Sequence, residues 1–119
     1  MNWFNIIKGQ EEATEWFIEN WIKKVLVTNM THGLDLQKAI LDAMNIPVSE
    51  REERAKNSLD GVIKLKKEGG ALGPLSDSEP MLLRDIEKAG HAIHEVDFDK
   101  AYDVFRDEMY EAIENFDWS

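Results

Sequence analysis

The chain contains no cysteine, which removes disulfides, thiolate metal ligands and thiol nucleophiles together. No stretch approaches the roughly 20 consecutive apolar residues of a membrane span. No run alternates with period two over six residues, and no Asn-Gly or Asp-Gly joins two such runs, so strand and hairpin signals are missing. Asp60-Gly61 falls inside a helical pattern instead. Cations are scarce, with 14 Lys and Arg against 24 Asp and Glu and a formal net charge of -10. Direct nucleic-acid binding needs phosphate neutralisation and is opposed by that balance. A basic protein surface is the better match, as is a site that nucleic acid would normally occupy. Met1 to Lys8 has no basic leader, long apolar run or cleavage site, so no secretion signal is expected.

What is present is a sequence written almost entirely in helical grammar. A length of 119 residues with 43% hydrophobic and 32% charged residues suits one domain with a real core (1–119). Without disulfides, that core is held by packing or by association with copies or partners. Aromatics concentrate early, at Trp3, Phe4, Trp16, Phe17 and Trp21. Glu11, Glu12, Glu15 and Glu19 stand where a helix lying in a membrane interface carries Lys and Arg, so a packed core helix is the reading.

The pattern predicts about five helices. After an aromatic lead-in ended by Gly9, a helix from Gln10 to about Val27 presents Ala13, Phe17, Ile18, Trp21, Ile22 and Val25 on one face. Its acids come early and Lys23 and Lys24 late, as the helix dipole favours. Thr28 to Gly33 is a break. A second helix from about Asp35 to Met44 is expected to bury Leu36, Ala39, Ile40 and Ala43. A third opens with Ser49 and Glu52 in capping-box spacing. It buries Ala55, Leu59, Val62 and Ile63 and ends at Gly69-Gly70. Lys64, Lys66 and Lys67 read as its C-terminal turn, complementing the dipole. The Gly- and Pro-bearing loop 69–76 is a soft boundary. Ser76 and Glu79 then repeat the cap before Pro80 in a first turn, and Leu82, Leu83, Ile86, Ala89 and Ile93 follow on one face. The last helix is capped by Asp97, with Val96 set to staple on Ala101. The fold class is all-α, ending in an αα-hairpin.

That last helix is the most informative segment. Phe98, Ala101, Tyr102, Phe105, Met109, Ala112, Ile113 and Phe116 fall at steps of three and four. From Glu95 to Ser119 nine acidic residues face only Lys100 and Arg106, so about minus seven of the net charge lies here. Asp99, Asp103, Asp107, Glu111 and Glu114 read first as a solvated, solubilising face. Like charges four apart also cost helix stability, which points to a basic partner, or the Lys64–Lys67 turn of a neighbouring copy, relieving the repulsion. Trp118 is expected as an anchor at the exposed end.

Constellations for chemistry are weak by comparison. Glu87, His91, His94 and Glu95 have residue types and helical steps that a divalent metal accepts. One helix alone supplies too few ligands, and no other helix offers Glu-x-x-His, so solvated histidines are the reading and no metal is assigned. The serines have no Gly-x-Ser-x-Gly context. Gly69-Gly70-Ala71-Leu72-Gly73 lacks the Lys-Ser or Lys-Thr of a phosphate loop. No enzyme activity and no cofactor are expected.

Gly69-Gly70-Ala71-Leu72-Gly73-Pro74-Leu75-Ser76-Asp77-Ser78-Glu79, with Met81-Leu82-Leu83, Ala89, Phe98 and Ala101, resembles a helical-hairpin module of tailed-phage internal and DNA-ejection virion proteins. The opening Met1-Asn2-Trp3-Phe4-Asn5-Ile6-Ile7-Lys8 is similar to small marine phage proteins of unassigned role. Residues 69–112 carry the likeness, and Pro80 departs from it where a Gly often follows the Glu. The resemblance implies a phage context, in a virion or a host cytoplasm, and carries over no catalytic residue. The expectation is then a non-enzymatic virion protein that docks on other proteins through Asp103, Asp107, Glu111 and Glu114, with Trp3, Phe4 and Trp118 as anchors. Self-association would serve the same end. The competing expectation is an inhibitor of a host nucleic-acid-binding or defence protein, its acids standing in for phosphates.

Overall fold

The computed structural model describes residues 3–68 and 79–119, with side chains described from Gly9 and from Met81 onward in the two stretches. It is an all-α single domain, and no strand occurs among the described residues. The helices are α1 (Trp3–Phe17), which passes through a π-helical segment (Ile18–Val27) into α2 (Thr28–His32), α3 (Leu34–Ala43), α4 (Val48–Glu68), α5 (Glu79–Lys88) and α6 (Phe98–Asn115), with a 3₁₀ turn at Ile93–Glu95 before α6. The expected soft boundary at 69–76, the Gly69-Gly70 stop and the Ser76 cap lie outside the described residues.

The first helix is longer than its punctuation suggests. It starts at Trp3, runs through Gly9 and continues past Thr28. Gly9 is a packing glycine: a Cβ there would lie 2.9 Å from Glu95 Oε2. Within the π segment the backbone bonds from i to i+5, so each turn is wider than α-helical. The buried set becomes Phe17, Ile18, Trp21, Ile22 and Leu26, with Val25 only half-buried. Side chains dress both ends of the widened stretch. Asn20 Nδ2 donates to Trp16 O at 3.0 Å, and Thr28 Oγ1 donates to Lys23 O at 3.3 Å.

The core sits where the π segment and α4 pack on α6. Tyr102, Phe105, Met109 and Ile113 of α6 are fully or almost fully buried, among Phe17, Ile22, Leu59 and Ile63. Each such side chain contributes about 1.5–3 kcal/mol of burial. Phe98 meets Phe17 edge-on at 5.3 Å between ring centroids, and the backbone N–H of Asp97 donates to Thr14 Oγ1 at 2.8 Å. These contacts fix the start of α6 against α1, and Asp97 Oδ1 caps α6 by accepting from Lys100 N at 3.2 Å. The two final helices are not each other's main partner. α5 buries Leu82 and Ile86 and packs on α1 and the 3₁₀ turn, while α6 lies on the π segment and α4.

Two local expectations are corrected. Ser49 lies inside α4, which begins at Val48, and its hydroxyl makes no capping bond among the described residues. The backbone turn from Pro47 O to Glu50 N, 2.9 Å, starts the helix instead. More consequentially, α3 buries Leu34 and Leu41 rather than the stripe Leu36, Ala39, Ile40 and Ala43. Leu36 is 68% exposed, Ile40 50% and Met44 57%. The helix is apolar over more than half its circumference, and the neighbouring helices cover only one edge of that arc.

Candidate interaction surface

The acidic face of α6 begins from its packing on α4. Lys56 Nζ donates to Glu114 Oε1 at 2.7 Å, Tyr110 Oη donates to Asp60 Oδ2 at 2.7 Å, and Lys67 Nζ donates to Asp103 Oδ1 at 2.9 Å. All three pairs keep one antiparallel register. Lys56 and Lys67 are eleven residues apart, as are Asp103 and Glu114, and Asp60 and Tyr110 each stand four residues from the Lys56–Glu114 pair. Lys56 and Arg106 also lie over the Tyr110 ring, 5.1 and 5.4 Å from its centroid, where the ring's negative face attracts them. Two groups of the seam are held in their protonated forms. The Glu114 hydrogen bond raises the Lys56 pKa above its ordinary value, and the Asp60 hydrogen bond raises that of Tyr110.

Part of the like-charge repulsion is relieved within the chain, by its own Lys67 and Lys56. The Lys64–Lys67 turn divides its labour: Lys64 lies 3.9 Å from Glu68, Lys66 is turned inward, and Lys67 reaches α6. Burial pushes the Lys66 ammonium below the usual lysine value, its stem lying along apolar surface. Asp99, Asp107 and Glu111 are the remainder. All three are exposed, and none has an ion-pair partner among the described residues.

The aromatic anchors fare differently. The side chains of Trp3 and Phe4 lie outside the described residues. Trp118 is not an exposed anchor: it is 6% exposed. Its indole Nε1 donates to Ile113 O at 3.0 Å, and its ring meets Phe116 at 4.6 Å between centroids. Arg51, itself buried, explains why. Its guanidinium donates to Trp118 O at 2.8 Å and to Ile46 O at 2.9 Å and forms an ion pair with Asp42. Sequence patterning treats an arginine in a charged run as surface, so this clamp leaves no periodic signal. The Lys56–Glu114 and Lys67–Asp103 pairs did leave one, the matching eleven-residue spacing on two helices.

No protein-family model, curated protein or solved structure matches the chain. The surface therefore stands on its own geometry. The Glu87–Glu95 cluster is not assembled. Glu95 Oε1 accepts from Ala92 N at 3.2 Å, while His91 lines a shallow groove with Glu12, Glu15, Trp16, Glu19 and Asn20. Among the described residues no three His, Asp or Glu side chains are placed to share a metal ion. No described helix is long and apolar enough to cross a membrane.

Proposed function

We propose that this protein is a small, non-enzymatic interaction protein, a structural or ejection-associated part of a phage particle, that docks on the basic surface of another protein through the acidic face of α6. The observation that supports the reading is the pair Asp107 and Glu111, exposed and without an internal cation, lying between Asp103 and Glu114, which are held by Lys67 and Lys56. A fixed frame with two free carboxylates at its centre is pre-ordered for a Lys or Arg pair. The non-enzymatic part rests on the sequence, which has no nucleophile in an activating context. The phage context rests on the resemblance of residues 69–112 alone.

Inhibition by phosphate mimicry ranks second. It calls for an unbroken array of free negative charge, and two of the five acids in this row are already paired with lysine. The test is capture from the native source with the tagged chain, identifying what is retained by mass spectrometry. A basic protein of the particle retained by the wild type, and lost with Asp107→Lys/Glu111→Lys, is the expected result. Retention undiminished by the double reversal contradicts it.

A further inference from the structure

α3 carries two apolar edges and uses one. Leu34 and Leu41 enter the core, whereas Leu36, Ala39, Ile40, Ala43 and Met44 repeat at i, i+3, i+4, i+7 and i+8 on the solvent side. That spacing is the signature of a helix face that packs on another helix. Its charged residues, Asp35, Lys38 and Asp42, lie on the opposite side, where Lys38 Nζ pairs with Asp42 at 2.9 Å. We infer that this face binds a second copy of the chain, α3 against α3, antiparallel about a two-fold axis at Ile40.

Three observations select a second copy as the occupant. First, the large residues of the stripe are symmetric. Leu36 and Met44 stand four residues either side of Ile40, so an antiparallel pairing sets Ile40 on its counterpart and Leu36 of each copy opposite Met44 of the other. An isologous interface demands this reciprocity. Second, the stripe itself bears no charge, so two strongly acidic copies can meet there without burying like charges. Third, the groove of about 860 Å³ beside it, floored by Ile40 and Leu41, is edged by Glu50, Glu53 and Arg54. None of these three has an ion-pair partner among the described residues. A rim with both signs is self-complementary under a two-fold axis, where Arg54 of one copy meets the acids of the other. A strongly basic partner would instead face Arg54 with like charge.

The association carries its own salt signature, opposite to that of the acidic α6 contact. Two copies of charge -10 repel at long range, and salt screens that repulsion while leaving apolar burial intact. Dimerisation therefore tightens as salt rises, whereas a contact of Asp107 and Glu111 with a basic surface loosens. The experiment is sedimentation equilibrium of the full chain from micromolar to millimolar concentration, at about 50 and about 500 mM NaCl. The expected result is a monomer–dimer equilibrium that strengthens with salt. Ile40→Glu, which places two carboxylates on the axis, weakens it about 100-fold and Leu36→Glu about tenfold. Both positions are at least half exposed, and circular dichroism checks that each variant keeps its helices. Asp107→Lys/Glu111→Lys leaves the dimer in place, so failure of the α6 contact and failure of this one are read separately. A chain that stays monomeric at both salts, a dimer that loosens with salt, or a dimer indifferent to both α3 substitutions overturns the inference.

Discussion

Single side chains decide more here than their positions in the sequence suggest. Trp118, one residue from the end, is held by its own indole bond to Ile113 O and by Arg51 on its carbonyl. Trp118→Ala is therefore expected to cost about 3–5 kcal/mol in urea unfolding, the range of a buried aromatic lost from a core; a surface anchor would cost almost nothing. Tyr102 is the second case. Burial pushes its hydroxyl from 10.0 up to about 12, so the folded state favours the neutral phenol. Its contribution is whole below the ordinary phenol value and is lost as pH rises through the folded one. Stability should hold to about pH 10 and decline towards pH 12. Tyr102→Phe should flatten that decline, leaving the smaller parts due to Tyr110, Lys23 and Lys56, as urea midpoints across the pH series would record. The burial of Tyr102 is legible in the α6 stripe, whereas that of Trp118 is not. Trp118 lies past the last periodic apolar position, and a terminal aromatic shows no pattern to say which way it turns.

Among the elements, α4 and α6 were the most readable and α3 the least. The stripes of α4 and α6 were correct almost residue for residue because long helices with one apolar face have one way to bury it. The sequence pattern cuts the long first helix short, since Gly9 reads as a stop. Its reason is the close approach of Glu95, a contact 86 residues away in the chain. α3 misled for a different reason. Its apolar spacing is that of a packing face, and sequence alone assigns such a face to the nearest core. Gly61 offers a clean test at this scale. It lies in the interior of α4 on an exposed face, and a Cβ there would meet nothing within 4 Å. Gly61→Ala should stabilise the protein by about 0.5–1 kcal/mol, the helix-propensity difference alone, seen as a raised thermal midpoint.

For the whole molecule, charge and apolar surface are kept apart. The acids collect along α6, where part of their repulsion is absorbed by α4, and the uncovered apolar stripe lies on α3. Such separation would let one chain make the two proposed contacts, with opposite responses to salt. Composition revealed the acidic side at once; it could not reveal which carboxylates stay free, because that depends on the register of α4 against α6. The most direct measurement takes the protein retained in capture experiments and titrates it calorimetrically with wild type and with Asp107→Lys/Glu111→Lys, at about 50 and about 300 mM salt. Docking through the α6 face requires wild-type affinity to fall about tenfold or more over that range and the double variant to bind undetectably. Equal affinity for the two chains, insensitive to salt, would contradict it.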